Sequence, residues 1–446
     1  MLEAITSTGI GRRILSGSLA NTAGIGMSAF AQLLSVPILL GAWGAEKYGI
    51  WIMLTTIPMY FALTDLGFVQ AATSEMTMKV AKGERDAALE IFQSTTALIA
   101  SICAAAVALL IGIAAAVAAM GYVIVTQNMQ LIVLLCFFSA FTLLSRLPLG
   151  ALRATGHYAL GTLVYDFLVL LEGLAALLTA HAGGDFSAVA LCLLGMRTVN
   201  MAVLNMLLRR QVPWLRYGLA QARISEIRRL SKPAIAGMVV PVALATSLHG
   251  TVLVVGAIVS PAAVAVYSAV RTCSRLMIQV VGVVNRAAMP EVAKAFASSE
   301  NRSLGAILSM NGLLIGAVLL PGALLFAAFG KEFVELWSRD SLSPSRTFVS
   351  LMAVATLVHG AWYFLSNMLL ATNSHVSLAK YILGASAITL LLAVVLGGSI
   401  GLNGAAIAVI SGELLCLAAT IVAFLSRYRE GGWRRPFCRD GAERKN

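Results

Sequence analysis

Residues 263–284 read AVAVYSAVRTCSRLMIQVVGVV, and this stretch decides how the rest of the chain is interpreted. It is long and apolar enough to cross a bilayer as a helix, yet it carries Arg271 and Arg275. Counting about 1.5 Å per residue from the turn at Ser260-Pro261 places Arg271 roughly 12 Å deep and Arg275 about 18 Å deep. Their spacing of four residues puts both guanidinium groups on one side of the helix. Since such charges are costly in hydrocarbon, both should face a polar interior, where a forked cation suits a carboxylate or a phosphate.

The composition is that of a polytopic membrane protein. The chain has 446 residues, of which 59% are hydrophobic and 12% are charged, whereas a soluble domain carries about 25% charged residues. The first apolar stretch shows no cleavage-site pattern, so we expect a retained helix and no signal peptide. The net charge of +12 does not indicate a nucleic-acid partner, because the basic residues cluster in alternate loops.

Twelve apolar stretches predict twelve transmembrane helices, since a single segment in lipid must satisfy its own backbone hydrogen bonds. They are residues 16–42, 48–72, 93–120, 128–150, 158–181, 187–208, 233–259, 263–288, 305–329, 347–371, 377–399 and 402–426. The expected domains are an N-terminal six-helix lobe (1–208), a basic cytoplasmic linker (209–232), a C-terminal six-helix lobe (233–426) and a basic cytoplasmic tail (427–446).

The distribution of lysine and arginine predicts which side of the membrane each loop faces. Most of the 32 basic residues lie in loops on one side, including seven between Arg209 and Lys232. The loops on the other side carry only Lys47, Lys331, Arg339 and Arg346. By the positive-inside rule the basic side is cytoplasmic, and both termini lie there.

The linker supports two interpretations. Its arginines alternate with apolar residues such as Trp214, Tyr217 and Ile227. This pattern is typical of an amphipathic helix on the inner membrane surface, but a solvated basic loop that fixes the topology fits as well. The tail at 427–446 is expected to be disordered and drawn to anionic lipid.

The two halves resemble each other in sequence. AATSEMTMKVAKGERDAAL, from Ala71, aligns with AAMPEVAKAFASSENRSLG, from Ala287, at an offset of 216 residues, and LRATGH at 152–157 resembles LLATNSH at 369–375. Six spans return the chain to its starting side, so the two copies have the same orientation. The fold class predicted is all-α, with two pseudo-repeated six-helix bundles around a central cavity.

Residues 39–89, LLGAWGAEKYGIWIMLTTIPMYFALTDLGFVQAATSEMTMKVAKGERDAAL, resemble the start of polysaccharide repeat-unit transporters. These are the O-antigen flippases (Wzx type) of the multidrug/oligosaccharidyl-lipid/polysaccharide (MOP) superfamily. The matching features are Tyr48-Gly49-Ile50-Trp51, Asp65-Leu66-Gly67 and Lys82-Gly83-Glu84. The resemblance implies a V-shaped pair of bundles that flips an undecaprenyl-pyrophosphate-linked oligosaccharide outward across the bacterial inner membrane. It also implies cationic residues in the central cavity, which Arg271 and Arg275 match by type and location.

Two readings of the arginine pair remain open. Arg271 and Arg275 either bind the pyrophosphate or acidic sugars of the cargo, or form an internal ion pair. Glu413 is the obvious acidic partner, because counting from Leu402 places it about 16 Å deep, close to the level of Arg275.

Four further charges lie within the predicted spans. Glu172 and Arg197, in consecutive antiparallel spans, reach similar depths of about 12–15 Å, so we expect a structural pair within one lobe, with a coupling role as the alternative. Asp65 is expected to cap or brace the turn between the second and third spans. Asp166, roughly 10 Å in from the cytoplasmic end of span five, has either a structural role or a role as a proton or cation site.

Sequence motifs for catalysis do not occur. The chain has no GxxxxGKS/T, HExxH, GxSxG or CxxC pattern, so we expect no enzyme activity, no cofactor and no ATP-driven transport. The cysteines lack metal-type spacing, and neither a metal site nor a disulfide framework is expected. His249 and His359 have a side chain that titrates near neutral pH, although single histidines in helices are more often packed and hydrogen-bonded.

Translocation of a lipid-linked oligosaccharide is therefore the predicted function. The implied partners are that oligosaccharide, membrane phospholipids and the polysaccharide polymerase machinery. One competing function is a multidrug and toxin extrusion antiporter of the same superfamily, but such a pump needs acidic residues to hold cations, where this chain carries paired arginines. A second is a polytopic glycosyltransferase or polymerase, for which the longest outer loop, 330–346, is too short.

Overall fold

A computed structural model describes residues 9–121, 128–297, 301–371 and 376–429, and every element within these ranges is a helix. In chain order they are α1 (Gly9–Leu54), α2 (Thr56–Phe61), α3 (Phe68–Ala81), α4 (Arg85–Ala119), α5 (Met129–Ala154), α6 (Tyr158–His181), α7 (Phe186–Gln211), α8 (Ile224–Ile258), α9 (Pro261–Ala297), α10 (Asn301–Trp337), α11 (Arg346–Ala371) and α12 (Val376–Arg429).

Two of these helices bend at a glycine and are long enough for two spans each. α1 contains Gly44 at φ +75°, and α12 contains Gly401 at φ +61°, directly after Ile400. Glycine reaches positive φ at little cost because it has no Cβ. Both bends lie in gaps between predicted spans, so the hydropathy pattern located them correctly.

The second predicted span, 48–72, is not one helix. It comprises the end of α1, the short α2 and the start of α3, with turns over 62–67. Leu66 and Gly67 both take positive φ, 46° and 77°, and the N–H of Gly67 donates to Oδ1 of Asp65 at 3.3 Å. Hydropathy missed this interruption because apolar residues continue through it.

Nine helical stretches in the described ranges are long and apolar enough to cross a membrane. Two of them, Leu19–Phe61 and Lys380–Ser426, are 43 and 47 residues long, and about 20 residues suffice for one crossing. α9, which carries Arg271 and Arg275, is not among the nine, although its 37 residues run for roughly 55 Å. The architecture is that of an all-helical, multi-pass membrane protein.

The chain divides into two compact units, Met1–Met238 and Val239–Asn446. The division falls inside α8. In the first unit, Phe92, Leu152 and Leu208 belong to a large buried cluster that joins α3, α4, α5 and α7. The second unit has smaller clusters, one on α8, α11 and α12 and one on α9 and α10.

The predicted linker, 209–232, is attached to the first unit. After α7 the chain is non-helical until α8 begins. Gln93 on α4 holds this part with both ends of its amide: Nε2 donates to the carbonyl of Arg216 at 3.1 Å, and Oε1 accepts the N–H of Gln221 at 2.9 Å. Leu215 is buried in the core of the unit. The stretch between α7 and α8 is therefore a loop and not the expected surface helix. Most of its residues are exposed, as in the alternative of a solvated basic loop, although Leu215 is buried.

Two predictions concern residues outside the described ranges. The first is the tail at 427–446, which lies outside the described ranges from residue 430 onward. The second is the repeat, because Glu300 and residues 372–375 of the repeated segments also lie outside these ranges. The repeat stays a prediction from sequence.

Candidate functional site

Both arginines of α9 line one small cavity within the second unit. It is formed by α8, α9, α11 and α12 and has a volume of about 50 Å³. Its charged and titratable lining residues are Tyr267, Arg271, Arg275, His359 and Glu413. A water molecule needs about 10–15 Å³ of such volume, so the cavity is large enough for a few waters.

Arg271 is anchored to its surroundings. One Nη donates to the carbonyl of Leu248 on α8 at 2.9 Å, and Cζ lies 5.4 Å from the ring centroid of Tyr267, one turn earlier on α9. The ring of Tyr267 is buried and lies against Phe348. These contacts fix the guanidinium against α8 and leave some of its N–H donors facing the cavity.

Arg275 differs from Arg271, although it points into the same cavity. Its side chain is half-buried, and it makes no hydrogen bond and no ion pair with any residue that the structure describes. An arginine has five N–H donors and remains protonated in proteins. Arg275 therefore keeps its N–H donors open, and the negative charge of Glu413 acts on it across the cavity without a contact.

Glu413 on α12 is already held by two side chains of α11. Its Oε1 and Oε2 lie 3.1 and 3.0 Å from Nδ1 of His359, and Oε2 accepts a hydrogen bond from Nε1 of Trp362. His359 and Trp362 are three residues apart on α11, so they face the same side. In the described part of the chain, no ion pair within 4.0 Å joins Glu413 to either arginine. The internal pair considered from sequence is not formed in this structure.

Glu172 and Arg197 meet inside the first unit. An Nη of Arg197 on α7 donates to Oε1 of Glu172 on α6 at 2.7 Å, and each side chain is 5% exposed. The guanidinium also donates to the hydroxyl of Tyr165 at 3.3 Å and lies over the ring of Phe138. The depth count from sequence had placed both residues at one level.

The two aspartates of the first unit have different surroundings. Asp65 is buried and precedes α3, where it accepts the N–H of Gly67. It therefore braces the turn over 62–67 that leads into α3, a turn that lies inside the predicted second span and not between the second and third spans. Asp166 on α6 lies against Gly24 of α1, where a Cβ added to the glycine would come 2.0 Å from Oδ2. It makes no hydrogen bond or ion pair with a described residue.

Sequence reasoning missed how Glu413 is held. The sequence pattern presents His359 as an isolated histidine and does not single out Trp362. A depth count was available: His359 lies twelve residues into its predicted span, or about 18 Å, close to the depth expected for Glu413. Among the described residues, no group of three or more His, Cys, Asp or Glu side chains could hold a metal ion.

Comparison with known proteins gives no match by sequence, since no family model and no curated protein matches the chain. Solved structures do match. The inward-facing conformation of a multidrug resistance MATE family transporter of the MOP superfamily superposes with a TM-score of 0.76, at 13% identity, over 94% of this chain and 100% of that one. The chain has the MATE fold.

Two other matches support this assignment. The outward-facing conformation of a MATE transporter of the MOP superfamily gives a TM-score of 0.64 at 14% identity, over 94% of this chain and 96% of that one. A mutant Vibrio cholerae MATE transporter gives 0.57 at 15% identity, over 97% and 98%. The predicted fold class is confirmed, and at these identities the likeness carries the fold alone.

Proposed function

We propose that this chain is a flippase that carries an undecaprenyl-pyrophosphate-linked oligosaccharide, an O-antigen or exopolysaccharide repeat unit, from the cytoplasmic to the periplasmic face of a bacterial inner membrane. The positive-inside rule predicts that the basic loops lie on the cytoplasmic side. The MATE fold supports membrane transport, because the solved structures that share it are transporters.

One observation carries the choice of cargo. In the cavity of the second unit the only carboxylate among the described lining residues, Glu413, is bound by His359 and Trp362, while Arg275 has no acidic partner. A cation at mid-depth in a membrane protein is costly unless a counter-charge arrives. An anionic cargo supplies that charge, whereas a cationic drug would be repelled.

The chemistry of a pyrophosphate fits these donors. A guanidinium binds two phosphate oxygens at once through parallel, charge-assisted hydrogen bonds. Arg275 would bind the anion directly, and Arg271, held by Leu248, would contribute its remaining donors. The membrane potential assists outward movement, since moving one negative charge across is worth about 2.3 kcal/mol per 100 mV.

The present cavity is too small for a pyrophosphate with a sugar attached. The proposal therefore requires the cavity to widen during the transport cycle, as expected for alternating access in transporters built from two repeats. The prenyl tail remains in lipid throughout.

The test is a flipping assay in proteoliposomes that contain a fluorescent undecaprenyl-pyrophosphate oligosaccharide and a membrane-impermeant quencher. Wild-type protein should expose lipid from the inner leaflet to the quencher. The double variant Arg271→Gln/Arg275→Gln should abolish flipping while the folded protein still inserts. Arg210→Gln removes an exposed arginine outside the cavity and serves as the matched control. Retained flipping in the double variant would refute the proposal.

One observation favours a second candidate, a multidrug and toxin extrusion antiporter. Asp166 is a half-buried carboxylate inside the first unit, without a hydrogen-bond or ion-pair partner among the described residues, and such a group could exchange a cation or proton. Drug susceptibility of an expressing strain separates the two functions. An antiporter confers resistance that Asp166→Asn removes and Arg275→Gln leaves intact, whereas a flippase confers none.

A further inference from the structure

A second cavity lies within the first unit, on its basic side. Its volume is about 310 Å³, and it opens between α4, α5 and α7 beneath the segment that follows α7. Leu144, Leu147 and Met201 form its apolar wall, and Asn205, Arg209 and Tyr217 lie at its polar end. The volume is at the lower end of the range for small-molecule sites, about 300–1,000 Å³.

The roof of this cavity is fixed in place. The hydroxyl of Tyr217 donates to Oδ1 of Asn205 at 2.5 Å, and its ring lies 5.0 Å from that of Phe92. Burial raises the pKa of the Tyr217 hydroxyl, and the nearby charge of Arg209 offsets part of that rise, so the phenol stays protonated and donating. Gln93 holds the same segment on both sides of Tyr217. The cavity is therefore part of the folded unit.

All but one of its polar lining groups already have partners. The hydroxyl of Thr96 donates to the carbonyl of Phe92 at 2.8 Å, and Nδ2 of Asn205 donates to the carbonyl of Met201 at 2.8 Å. Arg209 makes no hydrogen bond and no ion pair with any described residue. What the cavity offers a ligand is an apolar wall with one cation at its end.

We propose that this cavity binds one anionic phospholipid, with an acyl chain along Leu144, Leu147 and Met201 and the phosphodiester on Arg209. The depth fits, because Arg209 lies 22 residues, or about 33 Å, from the start of its predicted span, at the level of the lipid headgroups. A single guanidinium matches the single charge of a phosphodiester. A prenyl pyrophosphate, with its higher charge, is better matched by the two arginines of the second unit.

The test uses full-length protein purified in detergent and titrated with phosphatidylglycerol, with bound lipid counted by native mass spectrometry. Wild-type protein should retain one phosphatidylglycerol in preference to phosphatidylethanolamine. Arg209→Gln should weaken that binding by about fivefold, the factor expected for one arginine at an anionic membrane surface. Arg210→Gln, a neighbouring exposed arginine that does not line the cavity, should leave it unchanged. Met201→Trp, which fills the cavity and keeps Arg209, should also displace the lipid.

Three results would overturn the proposal. Equal losses in Arg209→Gln and Arg210→Gln would indicate unspecific attraction to a basic surface. Equal retention of phosphatidylethanolamine would remove the role of charge. Binding of undecaprenyl phosphate at Arg209 without phosphatidylglycerol would assign the cavity to the prenyl carrier instead.

Discussion

Each unit buries a carboxylate and arginine inside its helical bundle, but the two units place these charges differently. In the first, Arg197 and Glu172 are 2.7 Å apart and almost fully buried. In the second, Glu413 is bound by His359 and Trp362, and Arg275 faces the cavity without an ion pair to any described residue. A closed pair has little charge left for a ligand, whereas a separated pair leaves a cation available. The comparison indicates a structural role for the first cluster and a binding role for the second.

The two clusters also differ in the helices that hold them. In the first unit Arg197 on α7 pairs with Glu172 on α6. In the second unit Glu413, on the second half of α12, is held by two side chains of α11.

The largest effect is expected from breaking the closed pair. Glu172→Gln leaves Arg197 buried without a counter-charge, and an arginine cannot give up its proton. We expect the free energy of unfolding in detergent to fall by about 3–5 kcal/mol. The charge-exchanged variant Glu172→Arg/Arg197→Glu should recover most of this loss and retain transport. A loss below about 1 kcal/mol in the single variant would show that the pair is not structural.

A smaller loss of stability is expected at the open cluster, together with a gain in binding. Glu413→Gln removes the charge that His359 and Trp362 bind, which should cost about 1.5–3 kcal/mol. The affinity for undecaprenyl pyrophosphate should rise severalfold, because the variant has no negative charge opposite Arg275. Equilibrium binding to the purified variant measures this change. A loss of affinity would show that Glu413 itself contacts the cargo.

Removing one donor should make the second cluster resemble the first. Trp362→Phe keeps a ring in the core but removes the indole N–H, at a cost of about 1 kcal/mol in stability, the net value of a single hydrogen bond. Glu413, now held by His359 alone, is freer to approach Arg275, so anion affinity should decrease. Trp43→Phe, which removes an indole N–H that donates to the carbonyl of Gly184 in the first unit, is the control. Unchanged binding in Trp362→Phe would mean that the indole does not keep the two charges apart.

The smallest effect is expected at an exposed pair outside the spans. Lys79 and Glu84 lie 2.6 Å apart and are 28% and 43% exposed. The hydrogen bond from Lys79 lowers the pKa of Glu84. The stabilisation is therefore present above the ordinary pKa of a glutamate and is lost as the pH falls through the lowered value. Water screens such pairs, so Glu84→Gln should leave the Tm at pH 7 unchanged within error. A clear drop in Tm would show that the loop between α3 and α4 contributes more than its exposure indicates.

Hydropathy predicted most of the fold, because polar turns separate the apolar stretches. The fifth predicted span, 158–181, coincides with α6, and both glycine bends lie in predicted gaps. The interruption at 62–67 depends on backbone angles of Leu66 and Gly67, which composition does not encode. The attachment of the linker to Gln93 is a tertiary contact between distant segments, and no local pattern reveals it.

The sequence predicted how deep each charged residue of the site lies in the membrane. It did not predict which way each side chain points around its helix axis. Counting residues brought Glu172 level with Arg197 and Glu413 level with Arg275. Only the first pair forms a contact in the structure, because a depth count does not say which face of a neighbouring helix is turned inward. Whether Glu413 contacts Arg275 or His359 depends on how the helices are rotated about their axes.

The central claim is that Arg275 is a cation whose N–H donors are available to bind an anionic cargo. Equilibrium binding of undecaprenyl pyrophosphate to purified wild-type and Arg275→Gln protein tests it most directly, with Arg210→Gln as the control. We expect Arg275→Gln to bind at least about tenfold more weakly, since a hydrogen bond to a charged group is worth about 1.5–3 kcal/mol. Equal affinity in the wild-type protein and in Arg275→Gln would contradict the claim.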